Sequence, residues 1–269
     1  MAAAGKKRTC GLITDFGNKD YFIGTMKGIM RKINPEIEII DIANDIPSYS
    51  LMAASFVINK TYPFFPDFSI FLVVVDPGVG TNRRILLVEH ENHSFIGPDN
   101  GVLTPILRQE RAIVSALNNE DFFLIRGHST FEARDKMAPA AAYLSAGIDP
   151  QSLSKPVDDF VLTPGYYPES TAKQIAGKIV YIDKFGNIMS NISSDFLFSS
   201  LTNSGHKTFK AEINGRDITD FFTTYARAGA GPFMLIGSHG NLEIAVNQDS
   251  AAHLLDARIG QDMVIKFNQ

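Results

Sequence analysis

Three acidic positions follow directly on apolar runs: Asp15 after Gly-Leu-Ile-Thr, Asp76 after Phe-Leu-Val-Val-Val, and Asp99-Asn100 after Ser-Phe-Ile-Gly-Pro. Ligands of open α/β sheets bind beyond the carboxyl ends of the strands, so polar residues in this position are natural candidates for ligand contact. The plainer reading is that Asp15 and Asp76 begin turns or cap helices, a common role for Asp. Asp76 is the sharpest case. It opens Asp-Pro-Gly-Val-Gly-Thr-Asn-Arg-Arg, a glycine-rich turn that lets backbone approach a ligand and returns Arg83 and Arg84 nearby. A fourth acid, Glu132, stands in Phe131-Glu132-Ala133-Arg134-Asp135, just ahead of an Ala-rich stretch. The neighbouring Arg134 and Asp135 read as an ion pair fixing a helix start.

Other motifs carry no chemistry. Asp15-Phe16-Gly17 has the letters of the kinase metal-binding triplet but lacks the catalytic-loop and lysine signatures. Gly78-Val79-Gly80 lacks the third glycine of a dinucleotide fingerprint, and there is no P-loop. His90 and His93 read as flanking a hairpin turn rather than as a metal pair, so no metal site is expected. The remaining histidines are scattered, and no Gly-x-Ser-x-Gly elbow exists. Tyr62, Phe64 and Phe65 read as core.

The elements that must position these residues follow from periodicity. Cys10 to Ile13 is a short apolar run, Ile37 to Ile42 reads as a strand, and Phe68 to Val75 reads as a strand buried on both faces. Ile23, Met26, Ile29, Met30 and Ile33 recur at helical spacing. Leu51 to Tyr62 and Asp135 to Ala146 also read as helices. This alternation implies βαβ units. After a Pro-rich stretch the rhythm changes to closely spaced strands: Ile175–Ile182, Thr208–Ile213, Phe233–Ile236, Leu242–Val246 and Met263–Phe267. The expected fold class is α/β, with an N-terminal layered domain on a mostly parallel sheet (1–160), a linker (161–173) and a smaller C-terminal β-barrel-like domain (174–269).

Composition narrows the function classes. The chain has 269 residues, 45% hydrophobic and 20% charged, with 25 Lys+Arg against 29 Asp+Glu. A net charge of −4 argues against nucleic acid as a partner, which needs a basic excess. The single cysteine, Cys10, excludes a disulfide framework. The longest apolar run is too short to span a bilayer, and Met1 to Arg8 lacks the apolar region of a signal peptide. A cytoplasmic protein with no membrane partner is expected.

With these residues placed, the chain resembles the S-adenosylmethionine hydroxide adenosyltransferase family, relatives of the S-adenosylmethionine-dependent fluorinase and chlorinase. The matching motifs run nearly end to end: Thr14-Asp15-Phe16-Gly17 with Asp20, Met26-Lys27-Gly28, Val75-Asp76-Pro77-Gly78-Val79-Gly80 through Arg83, and Gly97-Pro98-Asp99-Asn100-Gly101. They continue with Arg134-Asp135 and Ala138-Pro139-Ala140-Ala141, then Ile182-Asp183 with Phe185-Gly186-Asn187, and Gly237-Ser238 through Leu242-Glu243-Ile244-Ala245-Val246-Asn247.

The resemblance implies a homotrimer with active sites at subunit interfaces, and hydrolysis of S-adenosylmethionine to adenosine and L-methionine without metal or cofactor. Water or hydroxide would attack the ribose 5′ carbon. By resemblance Asp15 holds the ribose hydroxyls and Tyr49 packs near the ribose. Asp20, Asp183 and Ser238 meet the methionine portion, Asn187 meets adenine, and Tyr225 is the aromatic beside it. The hydrolytic branch carries Asp, Arg and His. Asp76 and Arg83 are present, but Glu132 occupies the histidine's place. Asp, Arg and neutral His sum to zero charge, whereas Asp76, Arg83 and ionised Glu132 sum to −1. Two adjacent carboxylates push one another toward protonation, so Glu132 either replaces the histidine as general base or cripples the site. The alternatives are a protein that binds S-adenosylmethionine or adenosine without turnover, and a halogenase. Asp76 opposes the last, because a carboxylate repels halide.

Overall fold

Every residue of Thr9–Thr14 (β1) is buried, as is every residue of Ile70–Val74 (β3), the pattern of strands covered on both faces. The computed structural model describes residues 8–227, 229 and 231–268. The chain divides between Thr163 and Pro164 into two units.

In the first unit the elements are β1, α1 (Phe22–Ile33), β2 (Glu38–Ala43), α2 (Leu51–Thr61), β3, β4 (Ile85–His90), β5 (His93–Pro98), α3 (Thr104–Leu107), β6 (Ile113–Leu117), α4 (Ala138–Ser145), α5 (Pro150–Leu153) and β7 (Ser154–Pro156). The seven strands form one sheet in the order β2-β1-β3-β5-β4-β6-β7. The pairs β2/β1, β1/β3 and β3/β5 are parallel, and β5/β4, β4/β6 and β6/β7 are antiparallel. Five strands (β2, β1, β3, β5, β6) therefore run one way, as expected of a mostly parallel sheet. Ile23, Met26 and Met30 form the buried stripe of α1, and Arg31 and Lys32 favour the negative end of its dipole. The Ser50 hydroxyl caps α2 by accepting from the Ala53 N–H.

Two details depart from expectation. The helix read from Asp135 begins instead as one wide π turn, Ala133–Met137, that runs into α4. Pro139 has no N–H to offer the Asp135 carbonyl, which accepts from Leu124 N–H at 2.7 Å instead. Of the three aromatics assigned to the core, Tyr62 is buried and Phe65 packs edge-on against Phe71, but Phe64 is 87% exposed. Tyr62 and Phe64 share a short 3₁₀ turn, Tyr62–Phe64, which cannot turn both rings inward. The hairpin between His90 and His93 is as read, with the two residues directly paired.

The second unit contains β8 (Glu169–Ser170), β9 (Gln174–Ile182), β10 (Ile188–Ser193), α6 (Ser194–Ser204), β11 (Thr208–Ile213), β12 (Arg216–Ile218), β13 (Pro232–Ile236), β14 (Asn241–Val246), α7 (Ala251–Leu254) and β15 (Asp262–Asn268). The strand order is β12-β11-β15-β9-β10-β14-β13, with β8 on β9, all antiparallel. The segment after β12 returns to the other edge. Phe222 N–H donates to Met234 O and Met234 N–H to Asp220 O, so the sheet nearly closes on itself. Ile175, Ile179, Ile188, Ile192, Met234 and Ile265 are among the side chains that fill its interior. Strand β10 escapes the periodicity reading because Ser190 and Asn191 interrupt its apolar pattern, and helix α6 because five of its eleven residues are Ser or Thr. Ser190 is nonetheless buried, its hydroxyl donating to Leu242 O at 2.8 Å.

Candidate active site

Strands β1 and β3 lie side by side in register, Thr14 opposite Val74. The chain leaves both at the same edge, and so Asp15 and Asp76 emerge next to each other. The loop after β2 folds over this edge, with Ile46 N–H donating to Thr14 O and Gly17 N–H to Asn44 O. It carries Tyr49, whose positive φ of 66° turns its N–H toward Asp15 Oδ2 at 2.9 Å. Burial raises the Asp15 carboxyl above the ordinary carboxylate range, and nearby Asp76 adds to this, against hydrogen bonds from the Tyr49 and Asp15 N–H groups.

Asp76 is held on three sides. Its Oδ1 accepts from Gly78 N–H at 3.2 Å and from Arg83 Nε at 2.8 Å, and its Oδ2 from Arg83 Nη2. The glycine-rich turn makes this fork possible: Thr81 binds Gly78 O at 2.8 Å and receives the Arg83 N–H, which folds Arg83 back onto Asp76. The same Nη2 donates to Glu132 Oε2 at 2.6 Å. All three side chains are over nine-tenths buried. Glu132 Oε1 accepts from Lys136 Nζ at 2.6 Å.

These residues surround a cavity of about 490 Å³, lined among others by Asp15, Asp20, Tyr49, Asp76 and Glu132. Its apolar wall is a cluster of Phe16, Phe22 and Phe131, with ring centroids 5.2–5.8 Å apart. The first unit thus brings together five of the sequence-derived site residues, with Arg83 bonded to two of them. Sequence reasoning missed Phe22, Phe131 and Lys136. The four-residue spacing from Glu132 is the one sequence signal that points toward Lys136, and it fits a solvated surface pair equally well.

Asp99 and Asn100, equally suspect by position, serve the fold instead. Asp99 Oδ2 accepts from Arg84 Nε and Nη2 at 2.9 and 2.6 Å, and its Oδ1 accepts from Val161 N–H at 2.8 Å, which fastens the outgoing chain to the sheet. Asn100 bridges Val75 O and Val102 N–H. The Arg134–Asp135 ion pair is as read, with a distance of 2.6 Å and Asp135 fully buried. Burial opposes ionisation of Asp135, but hydrogen bonds from Arg134 and Ser129 prevail and hold its carboxyl below the ordinary range.

The second unit places its candidates around a tight loop and a second cavity. In the loop between β9 and β10, Asp183 Oδ1 accepts from the Phe185 and Asn187 N–H groups, both at 2.9 Å, and its Oδ2 from Asn187 Nδ2 at 3.0 Å. Asn187 and Tyr225 line a cavity of about 480 Å³ with Phe185 and residues 246–250. The Tyr225 hydroxyl donates to Glu243 Oε1 at 2.5 Å, and burial followed by that bond pushes its pKa well up. Ser238 is exposed in the turn between β13 and β14. Among the described residues no three His, Cys, Asp or Glu side chains are grouped as a metal would require. No helix described is long and apolar enough to cross a membrane.

Comparison with known proteins places this geometry. An (R)-S-adenosyl-L-methionine hydrolase of Methanocaldococcus jannaschii is 30% identical over 258 residues, covering 91% of this chain and 90% of the relative. A fluorinase of Actinopolyspora mzabensis is 24% identical over 298 residues, covering 98% of both chains. The crystal structure of an uncharacterized conserved protein from Thermotoga maritima superposes with a TM-score of 0.84 at 27% identity, covering 96% of this chain and 99% of that one. Residues 10–154 match the SAM hydroxide adenosyltransferase N-terminal domain and residues 177–264 its C-terminal domain, so the chain belongs to the SAM hydroxide adenosyltransferase family.

Proposed function

We propose that this chain hydrolyses S-adenosylmethionine to adenosine and L-methionine. The observation that carries the reading is the buried array of Asp76, Arg83 and Glu132, which presents two carboxylates to a cavity that Asp15 also lines. The Arg83 fork fixes Asp76, and Asp76 and Glu132 accept the hydrogen bonds of a water between them. That water's oxygen attacks the ribose 5′ carbon, the C–S bond breaks, and sulfur leaves with the bonding pair as the methionine thioether. The water's proton passes to a carboxylate and then to solvent. A hydroxide-like nucleophile meeting a sulfonium cation neutralises charge, so a site screened from water favours the step, and fixed partners hold the oxygen in line. No step calls on a metal or redox cofactor.

Asp15 binds the ribose hydroxyls, Tyr49 packs beside the ribose, and Asp20 meets the methionine end. Asp183, Asn187, Tyr225 and Ser238 complete the site from a neighbouring subunit of a homotrimer, with Asn187 and Tyr225 at adenine. The activity is assigned to the cytoplasm. The test is chromatography of S-adenosylmethionine incubated with purified protein and with Glu132→Ala. Adenosine and methionine in equal amounts, sharply reduced by the substitution, are expected. Calorimetric binding without product would mark a non-catalytic binding protein instead.

A further inference from the structure

Glu132 brings a negative charge to a position where the family resemblance leads one to expect a neutral histidine. The structure assigns the compensation to Lys136: we infer that it is a positioning residue which lets a carboxylate stand in for that histidine. The inference rests on the hydrolytic reading of the site. Each Glu132 oxygen has its own cation, Oε2 facing Arg83 Nη2 and Oε1 facing Lys136 Nζ, both at 2.6 Å. The carboxylate is thereby fixed in orientation, with a cationic partner on each oxygen. Asp76, Arg83, Glu132 and Lys136 form an alternating row of two anions and two cations, and the row is neutral, as Asp, Arg and His would be.

Burial separates this pair from an ordinary helix-surface ion pair. Exposed pairs four residues apart contribute little, whereas these side chains are 13% and 6% exposed. A nearby aromatic face, Phe123, lies 5.8 Å from Nζ. The wide π turn Ala133–Met137 contains Lys136 and starts directly after Glu132, its N-cap, and such turns recur at functional sites. Lys136 is not among the residues lining the cavity, so it acts through Glu132. The other charged groups around the row are Asp15, which feels Asp76, and the Arg134–Asp135 pair, which feels Lys136.

The test compares full-length Lys136→Met, Lys136→Arg, Glu132→His and Glu132→His/Lys136→Met in pH–rate profiles. Removing the ammonium should move the acid limb up by about one pH unit. That is a roughly tenfold loss of kcat on the limb, with KM little changed, and Lys136→Arg should restore both. With a neutral histidine at 132 the lysine charge is surplus, so the double variant should outpace Glu132→His alone. A Lys136→Met profile that superimposes on the parent overturns the inference, as does Lys136→Arg performing no better than Lys136→Met. Should the unmodified protein release no adenosine, the hydrolytic reading fails separately. The ¹³C carboxylate resonance of Glu132 at fixed neutral pH then decides the inference: it should move in Lys136→Met and return in Lys136→Arg, and an unmoved resonance contradicts it.

Discussion

Arg83→Met removes the cation shared by Asp76 and Glu132 while keeping much of the side chain's bulk. Asp76 would retain only the Gly78 N–H, whereas Glu132 would retain Lys136. Breaking a buried ion pair by removing one partner costs about 3–5 kcal/mol. Because one of the two anions keeps a cation, the lower end, about 3 kcal/mol, applies. In a unit of this size each kcal/mol lowers the melting temperature by about 2–4 °C, so a drop of about 6–12 °C is expected at neutral pH. The deficit should shrink on acidification, since one proton shared by the stranded carboxylates relieves the repulsion. Activity should fall about 10²–10³-fold, the usual cost of losing a preorganised charged donor. Arg83→Lys, which supplies a point charge in place of a fork, should lie between. Calorimetric melts from pH 5 to 8 and adenosine release measure both effects. A melting temperature unchanged at every pH together with full activity would refute the argument.

Two further perturbations test other parts of the account. Because burial holds the Asp15 carboxyl above its ordinary range, the folded state favours the protonated form and loses stability as pH rises through that range. Asp15→Asn should therefore melt no lower than the parent at pH 7–8 in calorimetry, yet raise KM by roughly tenfold through the lost charged acceptor. His93 is shifted the opposite way: burial among Tyr62, Phe71 and Phe95 lowers its pKa from 6.5, against Asp67 and Glu91. Its contribution to stability is full above that value and declines as pH falls below it. His93→Phe should flatten the drop in melting temperature between pH 7 and 5, and a drop as steep as the parent's would contradict this.

How much of this site could be read from the chain differs residue by residue. Asp15 and Asp76 are legible because each follows an apolar run, and side-by-side parallel strands deliver their last residues to one edge. The same rule promoted Asp99 wrongly, since position at a strand end does not reveal a bonding partner, and Arg84 and Val161 claim that carboxylate. Glu132 is legible from its place just ahead of the Ala-rich helix, and the resemblance adds that it occupies a histidine's position. Lys136 is not, because a cation four residues on reads equally as a solvated surface pair until burial is known. Apolar periodicity found α1 and the buried strands, but missed β10, where the buried Ser190 is satisfied by Leu242 O from a strand far away in the chain. Phe64 shows the converse: an apolar residue type does not by itself place a side chain inside.

In the proposed reaction an oxygen of water displaces methionine at the ribose 5′ carbon. Turnover of S-adenosylmethionine in ¹⁸O-enriched water, read by mass spectrometry of the nucleoside, tests it most directly. Adenosine carrying one solvent oxygen in its 5′-hydroxyl, released with an equal amount of methionine, is expected. No adenosine above a protein-free control, or a 5′-halogenated nucleoside that depends on added halide, would contradict it.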